Sequence, residues 1–273
     1  MFTVTLSVRS LFFALGLVGL DLLAENISQA EVYRVNTTAD IHPFPGSTTI
    51  SLRSALDSAN KLAGEDSISL PAGNYILTIA GSGDDTNFFG DLDILDSVTI
   101  TGAGPDKTII DGGTIDRVID IPISSENISV VLNNLTIQNG KLTATNSYLG
   151  GGGICNRQTL TLNNVVVRNN SVAGAGGGGI QSDHELTLKN VVVRANRIDE
   201  VGDENRRTGG GILNNGSMVM TDSTVAENRG RRGGGIYSHN ALIERSLFTG
   251  NWGWSGGAIM SDGDQQLVNV QTS

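Results

Sequence analysis

A Gly-Gly-Gly-Ile block at 151–154 returns at 177–180, 209–212 and 233–236, and once more as Gly256-Gly257-Ala258-Ile259. No other feature of the sequence limits the fold so tightly. Behind each complete block stands a second signature: Leu160 to Asn170, Leu186 to Asn196, and the looser Met218 to Asn228 and Ala241 to Asn251. From the Ile to the closing Asn the distance is 16, 16, 16 and 15 residues, whereas the gap to the next block is 7, 13, 5 and 5. A fixed core with one variable loop per period marks a solenoid, in which repeats stack and insertions collect on one face.

The period separates helical from strand solenoids. Repeats of 23 to 32 residues hold a helix pair only if apolar residues keep helical spacing without a break. Here Leu160, Leu162, Val165 and Val167 are apolar, and the Asn163-Asn164 step shifts their phase. With β-branched residues on that pattern, two short strands are separated by a corner. Three consecutive glycines would also cost a helix about 1 kcal/mol each relative to Ala. The reading is all-β, a right-handed parallel β-helix with a short N-terminal capping helix. In register, Leu162, Leu188, Met220 and Ile243 form one core column, and Val167, Val193, Val225 and Phe248 another. Glycine suits the turn before each Ile, where positive φ or close approach of backbones excludes a Cβ. The closing Asn170, Asn196, Asn228 and Asn251 are expected to form a side-chain ladder at a turn, with Asn itself tolerating the left-handed conformation.

The rest of the chain is organised around this array. Residues 1–30 read as an export signal: Arg9 precedes an apolar run from Leu11 to Leu20, and Ser28-Gln29-Ala30 offers a cleavage point near Ala30. The run is too short to span a bilayer and Asp21 interrupts it, so no transmembrane span is expected in the mature chain, which would be secreted or held at the cell surface. Residues 31–64 read as a cap. Val32 to Val35 alternate like a strand, and Leu52, Ala55, Leu56, Ala59 and Leu62 recur at helical spacing between a Ser51 N-cap and a Gly64 stop. Residues 65–273 then supply about eight coils, a rod of roughly 40 Å at ~4.8 Å per stacked strand. Leu267 to Val270 line up with Leu162 to Val165, which puts Ser273 at the place of Arg168. Nothing in that last coil reads as a cover, so the array is expected to be cut short there. It would either continue into more coils or associate end to end through its open edge.

Thr48-Thr-Ile-Ser-Leu-Arg-Ser-Ala-Leu-Asp-Ser-Ala-Asn60 resembles the CSLREA domain, found near the N-terminus of exported bacterial surface proteins with parallel β-helix repeats. Ser51, Leu52, Arg53 and Ala55 match the named core, while Ile50 stands for its cysteine and Ser54 for its glutamate. Gly256 to Ile259 and Phe248-Thr-Gly-Asn251 are similar to the paired GGAI and FxxN motifs of polymorphic outer-membrane proteins. Together these resemblances imply an exported adhesion, surface-display or structural protein. The alternative class is a polysaccharide lyase-like, carbohydrate-active enzyme working in a lateral groove, because such enzymes share the architecture.

Chemistry has few places to reside. The net charge of −10 argues against nucleic acid as a partner and leaves a glycan or a host or cell-surface protein. The single cysteine, Cys155, allows no intrachain disulfide and reads as a packing or surface residue. Asp84, Asp85, Asp91, Asp93 and Asp96 form the densest acidic cluster, read as a solvated loop. No cofactor is expected, with Ca²⁺ the one candidate, since a single loop rarely supplies its six to eight oxygens. The mixed charges from Arg197 to Thr208 read as a surface loop. Arg157, Asp183, Asn215, His239 and Asp262 fall in one polar surface column, and Arg168 stacks on Arg194. No column pairs an acid with a base as a catalytic site would. The candidate ligand stripe is therefore Arg168, Arg194, Asp183 and His239, with an anionic glycan as its natural contact.

Overall fold

The computed structural model describes residues 30–83, 86–143, 150–199 and 208–273. The leader assigned to residues 1–30 lies outside them except for Ala30, as do Asp84 and Asp85. Among the described residues no helix is long and apolar enough to cross a membrane.

The chain winds as a right-handed parallel β-helix, and every strand pairing in it is parallel. Each regular coil runs through three faces. A short first strand such as Ile154–Asn156 follows the glycine block, and a long one such as Thr159–Arg168 bends at its middle to supply the second and third. The first predicted column holds and extends downward, with Ile68, Ile100 and Leu132 stacked beneath Leu162, Leu188, Met220 and Ile243. The second likewise gains Tyr75, Ile110 and Ile137 beneath Val167. A third column was not foreseen: Leu92, Ile119, Ile154, Ile180, Ile212, Ile236 and Ile259 line the first face. All but Ile259 are buried, each burying roughly 1.5–3 kcal/mol of apolar side chain.

Two kinds of corner make the winding possible. At the Asn163-Asn164 step and the matching Lys189-Asn190 step the second residue is left-handed, with φ +52° at Asn164 and +54° at Asn190. Asn164 Nδ2 donates to Asn134 Oδ1 at 2.8 Å, and Asn190 Nδ2 to Asn164 Oδ1 at 3.0 Å. At the closing turn the left-handed residue is the one before the predicted asparagine: Asn169, Ala195, Glu227 and Gly250. That corrects the expectation and has a plain cause. The closing asparagine has to turn its amide inward, and it is fully buried at Asn170 and Asn196. Asn196 Nδ2 donates to Val167 O and to Asn228 Oδ1, each at 3.0 Å, while its Oδ1 accepts from the backbone N and Nδ2 of Asn170, again at 3.0 Å. All four bonding positions of a buried amide are filled, as burial demands.

In the glycine blocks the two predicted reasons divide by position. The first glycine is left-handed, with φ +75° at Gly151 and +66° at Gly177. The second is excluded by contact, since a Cβ on Gly152 would lie 2.3 Å from Ser171 O.

At the N-terminal end, Ser51 and Ser54 close a reciprocal capping box on the helix Leu52–Ala59. Leu52, Ala55, Leu56 and Ala59 are buried over the first coil, but the helix ends before Leu62, which is half exposed. Asn60 ends it because its amide is drawn to the next coil, donating to Asp93 O and accepting from Leu95 N at 2.8 Å each. A small fourth sheet, Lys141–Thr143, Ser171–Ala173 and Arg197–Asp199, stacks beyond the closing turn and continues through single bridges to Arg229 and Trp252.

Candidate functional site

The residue after each first-face core position points outward, and in chain order this column reads Asp93, Asp120, Cys155, Gln181, Leu213, Tyr237 and Met260. Outward residues are ordinarily wet, yet Asp93, Asp120, Cys155 and Gln181 are buried, with Asn87 N donating to Asp93 Oδ2 and Gly150 N to Gln181 Oε1. Arg117 and Arg157 join the two aspartates from the same face, and Asp91 joins from the loop before Asp93. Arg117 Nε donates to Asp91 Oδ2 at 2.9 Å, and its NH1 lies 3.6 Å from Asp120 Oδ1. Arg157 NH2 donates to Asp120 Oδ2 at 2.9 Å. With the buried Asp116, which precedes Arg117, the result is four carboxylates and two guanidiniums in one partly dry cluster.

The loop that supplies Asp91 is clasped from the cap. Arg53, almost fully buried, donates through NH1 to Asn87 O and Asp91 O, and through NH2 to Gly90 O. Its Nε reaches Asp40 Oδ1 at 2.7 Å, and Asp40 Oδ2 also accepts from Thr78 N and Ile79 N. Burial alone would raise the Asp40 pKa, but Arg53 and those two backbone donors hold it below the ordinary carboxylate range. Asp91 goes the other way: burial pushes it up to about 6, with Arg117 opposing and Asp116 and Asp120 reinforcing. Burial likewise pushes the Cys155 thiol up to about 12, so this cysteine is an inert packing residue.

The acidic cluster read as a solvated loop is therefore corrected for two of its members. Asp91 and Asp93 are buried, while Asp96 is half-buried and accepts from Ser97 N. Asp91, Asp93 and Asp120 also bring ligand atoms within 4.8 Å of one another, one group of this kind among the described residues. Their two coils supply more carboxylate than a single loop could. Arg117 already occupies Asp91, however, and Arg157 occupies Asp120. A Ca²⁺ ion would have to displace guanidinium from two of these carboxylates, so the donor set fits an ion-paired cluster better than a hard-cation cage.

The candidate stripe divides between two faces. Arg168 and Arg194 are in register on the third face, with Arg168 Nε donating to Gln138 Oε1 at 2.9 Å. Asp183 and His239 lie on the far side of the second strand, in the polar column with Arg157, Asn215 and Asp262. Asn215 Nδ2 donates to Asp183 Oδ1 at 2.6 Å, and His239 Nδ1 lies 3.2 Å from Asp262 Oδ1, which also has Tyr237 OH on its second oxygen at 3.0 Å. Arg117, Asp120 and the burial of Asp93 were missed. The signal was present in Leu92-Asp93-Ile94 and Ile119-Asp120-Ile121, where a carboxylate interrupts two apolar positions of a strand.

No protein-family model matches the sequence and no curated protein does either. Among solved structures the chain is similar to the rice weevil pectin methyl esterase, at 12% identity and a TM-score of 0.43, over 81% of this chain and 86% of that one. At this level the likeness concerns the course of the backbone and says nothing of chemistry.

Proposed function

We propose that this chain is a non-catalytic carbohydrate-binding rod, displayed outside the cell. One observation carries the reading. Asp91, Asp93, Asp120 and Arg117 are buried, Arg117 pairs with Asp91 and the half-buried Arg157 with Asp120, and Arg53 clasps the backbone that carries Asp91, so the cluster holds a loop in place. Side chains in open, in-register rows cover the lateral faces, and such rows suit the repeating units of a polymer. The test is cosedimentation of the chain with acidic and neutral polysaccharides, run beside assays for released methanol, reducing ends and unsaturated products. Retention with all three products absent supports the proposal. Product release that disappears in Asp120→Asn overturns it in favour of a second reading, a carbohydrate-active enzyme. That reading draws on Asp91, whose pKa near 6 suits proton transfer at neutral pH.

A further inference from the structure

In the sheet that begins with Lys141–Thr143 the middle residue of each short strand faces inward, and Leu142, Val172 and Ile198 pack together there. In the next two coils the inward position is glycine. A Cβ on Gly230 would lie 2.7 Å from Gly210 N, and one on Gly253 2.9 Å from Gly234 N. Residues on either side of an inward position share the outer face. Around Gly253 they are Trp252 and Trp254, the chain's only two tryptophans, 45% and 71% exposed. Their backbone is fixed to the coil below: Trp252 N donates to Asn228 O at 2.8 Å, Gly230 N to Trp252 O at 3.1 Å and Ser255 N to Arg231 O at 3.1 Å. The two indoles are therefore held side by side on one outward face, about 7 Å apart along the chain.

One side of each indole is already taken. Arg229 Cζ lies 4.7 Å from the Trp252 ring centroid and Arg231 Cζ 4.8 Å from that of Trp254. Each of these guanidiniums has a further interaction besides, and Arg197 of the coil below is paired with Asp199 at 2.8 Å. The arginines thus support the backs of the rings and are not offered to a ligand. The chain's net charge of −10 works against any polyanion, a nucleic acid and an acidic polysaccharide alike. A protein partner is disfavoured by size. Two indoles bury roughly 500 Å² between them at most, whereas a stable interface takes about 800 Å² from each partner. Their neighbours on the segment, Asn251, Gly253 and Ser255, add no apolar side chain. The ligand that fits is uncharged and flat, with an apolar face that repeats along its length. We infer that Trp252 and Trp254, backed by Arg229 and Arg231, form a stacking platform for a neutral polysaccharide of extended, β-1,4-linked pyranoses. Where every ring substituent is equatorial, the axial C–H bonds make both faces of the sugar apolar. The β-1,4 linkage keeps successive sugars in one ribbon that can lie across both indoles. This inference rests on the carbohydrate-binding reading above.

Because no other tryptophan is present, intrinsic fluorescence reports this site alone. The full chain is titrated with cellohexaose and with chitohexaose, and in parallel with maltohexaose, de-esterified polygalacturonate fragments and oligothymidylate. The expected result is a saturable, salt-insensitive change in emission with one or both β-linked hexaoses. Maltohexaose, whose α-linkages curl the chain out of a flat ribbon, should bind about tenfold more weakly or worse. Trp254→Ala, followed through Trp252, should lose affinity about tenfold or more at an unchanged thermal midpoint, and Trp254→Phe should retain most of it. No response to either β-linked hexaose, equal affinity for maltohexaose, tighter binding of polygalacturonate or oligothymidylate, or full affinity in Trp254→Ala would each overturn the assignment. If polysaccharide still cosediments with Trp254→Ala as it does with the unaltered chain, this platform fails while the carbohydrate-binding reading stands. If no polysaccharide cosediments at all, the carbohydrate-binding reading fails and this assignment falls with it.

Discussion

Asp91 holds its proton to about pH 6 because burial outweighs the help of Arg117, whereas the unfolded chain releases it near 3.8. Between those values the folded state binds more protons, so this group's contribution to stability is full below the unfolded pKa and is lost as pH rises through about 6. Asp40 has the opposite sign: with its pKa lowered, its contribution is present above about 4 and disappears as pH falls further. Unfolding free energies from denaturant titrations between pH 4 and 6 should therefore decline with pH in the native chain relative to Asp91→Asn, by on the order of 1–3 kcal/mol across the window. Parallel curves for the two proteins would contradict the buried environment described for this carboxyl. How much of this was legible differs residue by residue. Ser51 announced itself because N-capping is a local matter, settled within three residues. The clasp made by Arg53 was not legible, since its partners at Asp40 and 87–91 come together only through the winding. Asp93 and Asp120 stayed hidden because their coils lack the glycine block that fixes register elsewhere.

The closing turn is the element on which the stack depends, and its asparagines invite a graded test. Asn196→Ala strips four bonds from a buried rung and leaves Asn170 N without its acceptor, at about 1–3 kcal/mol for the stranded group. Asn251→Ala removes the last rung, which is only half-buried. The inner substitution should lower the denaturant midpoint clearly more than the outer one, and equal losses would show that the ladder is not cooperative along its length. The facing of the third-face strands is tested in the same way. Val193 stacks fully buried between Val167 and Val225, so Val193→Asp buries an unpartnered charge at several kcal/mol. Arg194→Asp, on the exposed side of the same strand, should cost under about 0.5 kcal/mol. Here the sequence was an adequate guide, because repetition showed each position several times over. The identity of the left-handed residue was misread, since the repeating asparagine drew notice away from its variable neighbour.

On the scale of the molecule, the two ends are unlike. The first coil lies under the helix Leu52–Ala59, whereas the strand Gln265–Val268 is paired on one side only, with Leu267 52% and Val268 44% exposed. The rungs between these ends have a further consequence, for the history of such a protein. Because each coil meets the one above through the same asparagine, the same aliphatic columns and the same glycine contacts as it meets the one below, its upper and lower surfaces are interchangeable. A tandem duplication spanning one glycine block to the next, 23 to 32 residues here, inserts a coil that already fits both of its new neighbours. Length can therefore change by a whole coil in one genetic event, with the cap and the side loops carried along unaltered.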